Sequence, residues 1–202
     1  MHRFFTRCLT AALILVTAAL VPVAPAAADD DVSIMMVRQA APMFNKKSGQ
    51  VMAILGASKD HGAAAVQFDY TDVDVSPSND VMIEEIDGIY VRLKPWHTYT
   101  WETPLNPHND MCLAVKGASM KKGDPIVQAR CTYDSTDNDV WIRTQFGTSS
   151  YYQYMNKAST WCLVVQFAST ELRQPLIQHD CNGTDNGRWA RMKAFGIPEL
   201  PF

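Results

Sequence analysis

One stretch of this sequence occurs twice in the second half of the chain, and it constrains the fold more than any other feature. Each copy contains, in the same order, Cys-Leu-x-Val, a short loop, two apolar residues followed by Gln, a second Cys, a polar loop and Asp-Asn-x-x-Trp. The copies run from Cys112 to Trp141 and from Cys162 to Trp189. Self-similarity of this kind is the signature of a repeat architecture, so we predict a chain built from equivalent units.

An earlier stretch, from Val51 to Met82, aligns with these two copies and predicts a third unit. Val51 and Tyr70 fall at the two cysteine positions, and Met82 replaces the tryptophan. We expect an apolar contact between Val51 and Tyr70 where the other units have a covalent bond. The remaining matches are Gly56-Ala57-Ser58 with Gly117-Ala118-Ser119, and Asn79-Asp80-Val81-Met82 with Asn138-Asp139-Val140-Trp141.

The cysteines predict one disulfide in each of the last two units. Four cysteines follow the N-terminal leader, and four cysteines allow three pairings. Because each copy carries its own pair, the repeat selects Cys112–Cys131 and Cys162–Cys181. A zinc site is the alternative, but the sequence has no Cys-x-x-Cys and no His at ligand spacing. We therefore predict no metal site.

The first 28 residues have the pattern of a secretory signal peptide. A basic head is followed by an apolar run at residues 11–21 and by small residues that end at Ala28. A membrane anchor is the alternative, but the run is shorter than the ~20 residues that a spanning helix needs. We expect cleavage after Ala28, a secreted protein without a membrane span, and an oxidising environment that suits disulfides.

The rest of the chain is predicted to be an N-terminal arm at residues 29–44 and one domain at residues 45–202. The arm shows little periodicity and is either a short helix or an extended segment. The formal net charge is −3, and loss of Arg3 and Arg7 with the leader brings it near −5, which argues against a nucleic-acid partner. Short alternating runs such as Ile89–Leu93, with no long amphipathic helix, predict an all-β barrel with pseudo-threefold symmetry.

These motifs resemble the repeat of the ricin B-chain type (R-type) lectins. The resemblance covers roughly residues 45–193 and is strongest in the second and third units, where Cys-Leu-x-Val, the second Cys and Asp-Asn-x-x-Trp all occur. It implies a β-trefoil of three repeats in which Trp141 and Trp189 pack in the core. It also implies that the protein binds glycans or glycoconjugates.

The resemblance further implies where a sugar would bind in each repeat. In the family, an Asp two residues after the first Cys accepts hydrogen bonds from sugar hydroxyls, and a ring two residues before the second Cys stacks on the sugar. A few placed polar groups then set the orientation of the ring. This chain has Ala53, Ala114 and Val164 at the Asp position, Phe68, Ala129 and His179 at the ring position, and Asn79, Asn138 and Asn186 at the Asn position. The candidate carbohydrate-binding residues are Phe68, Asn79, Asp80, Asn138, His179 and Asn186, with the third and first units favoured.

Two functions remain open from the sequence. The first is carbohydrate binding without catalysis or a cofactor, since no nucleophile elbow, phosphate loop or zinc-protease motif occurs. The alternative is a trefoil that has lost sugar binding and acts as a protein-interaction module, a toxin accessory subunit or an inhibitor; the missing Asp favours this alternative. An exposed apolar patch near Tyr151-Tyr152 or Pro95-Trp96 would support a protein partner. A solvent-facing Phe68 or His179 beside its Asn would support a glycan.

Overall fold

The computed structural model of the chain describes residues 37–70, 80–99, 110–133 and 136–191, and these residues form an all-β fold, as predicted. No helix in this part of the chain has the length and apolar character needed to cross a bilayer. The strands are β1 Val37–Asn45, β2 Val51–Ile54, β3 Ala65–Phe68, β4 Val81–Asp87, β5 Tyr90–Pro95, β6 Met111–Val115, β7 Ile126–Arg130, β8 Trp141–Gln145, β9 Tyr151–Asn156, β10 Cys162–Val165, β11 Leu176–His179 and β12 Trp189–Arg191. Single 3₁₀ turns cover Leu55–Ala57, Trp96–Thr98, Lys116–Ala118, Gln166–Ala168 and Asp185–Gly187.

Six of these strands close into a barrel. β1 pairs with β4, β4 with β5, β5 with β8, β8 with β9, β9 with β12, and β12 pairs back with β1, all antiparallel. The other six form three hairpins, β2–β3, β6–β7 and β10–β11. Each sequence unit therefore contributes four consecutive strands, and a closed barrel leaves no unpaired edge among its strands. This arrangement is the β-trefoil that the sequence predicts.

The hairpin registers confirm the alignment of the three units. Val51 pairs with Phe68, Cys112 with Ala129, and Cys162 with His179. The disulfides are Cys112–Cys131 and Cys162–Cys181, as predicted, with Cα atoms 5.0 Å apart in both.

Apolar packing takes the place of the disulfide in the first unit. The ring of Tyr70 meets the ring of Phe44 edge-on, with centroids 5.5 Å apart. Phe44 is the partner of Val51 on β1. Phe44 thus packs beside both cysteine-equivalent positions of the first unit.

The domain begins earlier than the predicted boundary at residue 45. β1 starts at Val37 and pairs with β4 from Val37 to Pro42, so residues 37–44 lie in the barrel and not in an arm. Pro42 hides this strand in the sequence, because proline lacks an N–H and usually marks a break or an edge. Here Pro42 stands where the β4 ladder ends and the pairing with β12 begins at Met43. The predicted leader and residues 29–36 lie outside the described residues.

The core repeats with the same threefold pattern. Trp141 and Trp189 are fully buried at 0% exposure, as predicted, and Met82 occupies the same position in the first unit. Each indole N–H donates to a backbone carbonyl, Trp141 to Leu113 at 2.9 Å and Trp189 to Leu163 at 3.3 Å. The buried rings therefore keep their single donor satisfied.

A buried glutamine in each hairpin links one unit to another. These residues, Gln67, Gln128 and Gln178, are the Gln of the apolar-apolar-Gln run, and all are fully buried. Each side-chain amide donates two hydrogen bonds to backbone carbonyls of a loop in a different unit. Gln67 donates to Ser169 (3.1 Å) and Glu171 (2.7 Å), Gln128 to Ser58 (2.7 Å) and Asp60 (2.9 Å), and Gln178 to Ser119 (3.0 Å) and Lys121 (2.6 Å). The glutamine of the first unit thus donates to the third unit, that of the third unit to the second, and that of the second unit to the first.

The barrel strands also enclose a charged cluster at equivalent positions of the three units. Glu84, Arg143 and Arg191 each follow the buried Met or Trp by two residues, and Glu84 is fully buried. Its Oε2 lies 2.9 Å from Arg191 Nε and 3.5 Å from Arg143 Nη1, and Tyr154 Oη donates to Oε1 at 2.6 Å. Burial, together with the adjacent Glu84, raises the pKa of Tyr154 well above its usual value. The phenol therefore stays protonated and donates to the carboxylate.

We predict that Gln128→Ala lowers the free energy of unfolding by about 2–4 kcal/mol, because it removes two partly buried hydrogen bonds made by a fully buried side chain and leaves two carbonyls without that donor. Urea denaturation followed by fluorescence measures the change. Gln145→Ala is the matched control, since Gln145 donates a single exposed bond to Ser149, and it should shift stability by less than about 0.5 kcal/mol. Equal effects of the two substitutions would contradict a special role for the buried glutamine.

The two disulfides should differ in their rate of reduction. Cys112 and Cys131 are both buried, whereas Cys181 is exposed, and a thiolate must reach a sulfur to attack it. Under limiting dithiothreitol at native conditions, we expect Cys162–Cys181 to open first. Alkylation followed by peptide mass spectrometry identifies the reduced pair, and earlier loss of Cys112–Cys131 would refute this order.

Candidate functional site

The third unit carries a cavity of about 430 Å³ on its β10–β11 hairpin. This volume lies in the range of small-ligand pockets. Two of the residues predicted from the sequence, His179 and Asn186, line it together. The other lining residues are Gly123, Val164, Val165, Gln166, Phe167, Ala168, Ile177, Asp180, Asn182 and Thr184.

Two buried apolar side chains of this lining make one side of the cavity apolar. Val164 is 3% exposed and Ile177 is 6% exposed, and both belong to a small core cluster with Cys162. Val164 stands where the R-type lectin repeat has its sugar-binding Asp. This surface of the cavity, which we call the floor, therefore offers methyl groups where the family offers a carboxylate.

The glycine that follows Asn186 makes room for this valine. A Cβ atom at Gly187 would lie 2.9 Å from Val164 Cγ1, which is too close for unstrained packing. The first two units have the opposite combination. They carry a buried alanine at the floor position, Ala53 or Ala114, and a buried aspartate after the Asn, Asp80 or Asp139. The two departures in the third unit are therefore coupled by packing.

The rim of the cavity is polar and charged. The side chain of His179 is 40% exposed, and its Nδ1 lies 3.5 Å from Asp180 Oδ2. The same Asp180 oxygen accepts a hydrogen bond from Lys122 Nζ of the second unit. This bond, with the charges of Lys122 and His179, holds the pKa of the Asp180 carboxyl below its usual value. An ionised carboxylate and an imidazole thus stand side by side at the rim.

The asparagines at the Asn position of the second and third units brace the backbone. Asn138 Nδ2 donates to the carbonyl of Val115 at 3.0 Å, and Asn186 Nδ2 donates to the carbonyl of Val165 at 3.1 Å. Asn186 Oδ1 also accepts a hydrogen bond from Thr184 Oγ1 at 2.7 Å. Each amide nitrogen carries two protons, so the bracing bond leaves each side chain a second N–H.

The first two units do not assemble the same set of groups. Phe68 is half-buried and lies under the guanidinium of Arg173, 5.7 Å from the ring centroid. Asp80 is buried, and Asn79 lies outside the described residues. Asp139 is also buried and accepts two hydrogen bonds from Thr132, at 2.7 Å from N and 3.1 Å from Oγ1. In the second unit Ala129 supplies no ring beside Asn138.

One lining residue was not singled out by the sequence motifs. Phe167 replaces the glycine of Gly-Ala-Ser in the third unit, and its side chain is 86% exposed. Its backbone has φ 55°, in the left-handed region that Gly56 (φ 66°) and Gly117 (φ 62°) occupy in the other units. The sequence does mark this residue, because the first and second units have glycine at the same position and the third does not.

The described residues contain one grouping with the composition of a metal site, and its chemistry argues against that role. Ligand-type atoms of Cys112, Cys131 and Asp139 lie within 4.8 Å of one another. Both sulfurs are consumed in the disulfide, and a metal needs the free thiolate. We therefore assign the grouping to structure.

Comparison with known proteins agrees with this fold. The profile of the ricin-type beta-trefoil lectin domain matches residues 98–195. Among curated proteins, none matches this sequence significantly.

Solved structures extend the similarity over about three quarters of the chain. The designed threefold symmetric protein ThreeFoil has a TM-score of 0.63 at 24% identity, covering 75% of this chain and 96% of its own. An exo-beta-1,3-galactanase from Clostridium thermocellum has a TM-score of 0.62 at 22% identity, covering 75% of this chain but only 29% of its own. The Macrolepiota procera ricin B-like lectin, solved with lactose, has a TM-score of 0.57 at 12% identity, covering 75% of this chain and 93% of its own.

At these identities the structures establish the fold. Residues 98–195 are similar to the ricin-type β-trefoil lectin domain, and they lie within a β-trefoil that the first unit completes.

Proposed function

We propose that this protein binds carbohydrate without catalysing a reaction, and that the third unit holds the binding site. The observation that carries the proposal is the cavity in which the imidazole of His179 and the amide of Asn186 lie together beside an apolar floor. A sugar ring has C–H groups on its faces and hydroxyls on its edge. A pocket with apolar walls and a few polar groups at the rim matches both.

The surroundings of the other predicted aromatic residues also support a glycan over a protein partner. Trp96 is buried and contributes no exposed patch with Pro95. Tyr151 and Tyr152 are only partly exposed, and a cation lies over each ring, Lys46 at 5.6 Å and Arg143 at 4.7 Å from the centroids. By contrast, His179 faces solvent next to Asn186.

The family supports the same ligand class. Its solved members include a lectin in complex with lactose and an earthworm R-type lectin half in complex with GalNAc. We further propose that the chain is exported, which accords with its two disulfides. A single shallow site of this kind binds weakly, so several ligands presented on one surface would be needed for firm attachment.

We expect the oxidised protein to bind members of a glycan array, and His179→Ala to weaken the measured affinity by roughly three- to tenfold through loss of one stacking surface. Isothermal titration with the best array hit gives the affinities. Phe68→Ala is the matched control, because Phe68 holds the equivalent position in the first unit; its affinity should equal that of the unchanged protein.

Two outcomes would contradict the proposal. If the folded protein, with both disulfides formed, binds no glycan on the array, carbohydrate binding is not its function. A loss of affinity in Phe68→Ala but not in His179→Ala would move the site to the first unit.

A further inference from the structure

Phe167 is the most exposed large apolar side chain among the described residues. It is 86% exposed, and it forms part of the cavity wall beside Gln166 and Ala168. An exposed aromatic ring at the mouth of a pocket gains nothing from the hydrophobic effect until a ligand covers it. Its position suits it to cover one face of a bound ligand.

The backbone at Phe167 is strained in a way that its counterparts avoid. Phe167 has φ 55° and ψ 14°, while Gly56 has φ 66° and ψ 18° and Gly117 has φ 62° and ψ 23°. The left-handed region is open to glycine but unfavourable for a residue with a Cβ, and rare for a bulky one. Because the first and second units form the same turn with glycine, the fold itself does not require an aromatic residue at this position.

Strain and exposure together point to a role in binding. A residue held in a sparsely populated conformation without a packing gain is a feature of functional sites. The strained ring stands in the one unit of the three where the cavity, His179 and Asn186 occur together among the described residues. The coincidence of these features in a single unit separates a ligand-contacting role from random drift at a surface position.

The apolar floor of the cavity indicates which sugars the site would favour. A carboxylate at the Asp position would accept hydrogen bonds from a pair of vicinal hydroxyls, but Val164 and Ile177 present methyl groups. A hydroxyl pressed against them would lose its water without gaining a partner. A methyl substituent would be buried there at a gain.

We propose that Phe167 contacts the ligand as an aromatic wall, and that this wall and the Val164–Ile177 floor select sugars bearing a methyl group, as in N-acetylated or 6-deoxy sugars. This inference rests on carbohydrate binding in the third unit. It adds a contact residue and a substituent preference that the family's Asp-and-ring pattern does not contain.

Matched pairs of monosaccharides test the preference. Methyl β-D-fucopyranoside is the 6-deoxy form of methyl β-D-galactopyranoside, and the methyl glycoside of N-acetylglucosamine pairs with that of glucose. We expect the methyl-bearing member of at least one pair to bind more tightly by roughly fourfold or more, because its methyl group is buried at a gain where the hydroxyl of its partner would lose water without gaining a hydrogen bond. Titration followed by protein NMR measures each affinity, and parents that bind as well as or better than their partners in both pairs would overturn the preference.

Substitution at residue 167 tests the wall. Phe167→Gly should weaken binding by roughly three- to tenfold while leaving the melting temperature unchanged or higher, because it removes the strained Cβ. Phe167→Trp should keep the affinity. Gly117→Phe is the matched control, since it places a ring at the equivalent open position of the second unit; it should lower the melting temperature and leave the affinity unchanged.

The failures of the two proposals are distinguishable. If the unchanged protein binds no sugar, carbohydrate binding and the role of Phe167 both fall. If the unchanged protein binds and His179→Ala weakens it, but Phe167→Gly binds with full affinity, only the role of Phe167 is overturned.

Discussion

The cycle of three buried glutamines is the constraint on which the rest of the structure depends. Each amide satisfies two carbonyls of a loop in another unit, and every unit both gives and receives such a pair. The backbone adds to the link, since Gly123 N donates to the carbonyl of Gln178 at 2.8 Å. That bond holds the loop of Gly123 and Lys122 against the third unit. The cavity is therefore lined by residues of two units. Gln178 positions Gly123 in its lining and the Lys122–Asp180 pair at its rim.

The third unit departs from the family pattern by a set of changes that belong together. Val164 removes a carboxylate from the floor, and Gly187 provides the space that the larger side chain needs. Phe167 adds an exposed ring at the cost of a strained turn. Each change alone would look like the decay of a binding site. In combination they place apolar surface around His179 and Asn186, which accords with the preference proposed above for methyl-bearing sugars.

Features that depend on a repeated pattern could be predicted from the sequence, whereas features that depend on three-dimensional context could not. The three units, the disulfides and the burial of Trp141 follow from matching motifs. The early start of β1 is hidden by Pro42, and the strain at Phe167 is visible only as a backbone angle. Asp139 follows Asn138 as the candidate Asp80 follows Asn79, but Asp139 is buried and accepts two hydrogen bonds from Thr132. Residue type alone does not distinguish these cases.

The charges of Glu84, Arg143 and Arg191 have a consequence for the origin of such a chain. If the three units had remained identical after duplication, this location would hold three like charges without a counterion, which a buried site does not tolerate. At least one unit had to diverge before, or together with, the arrival of charge there. The cluster therefore gives the units separate identities within an otherwise symmetric barrel. A symmetrised descendant of this protein would need uncharged residues at all three positions.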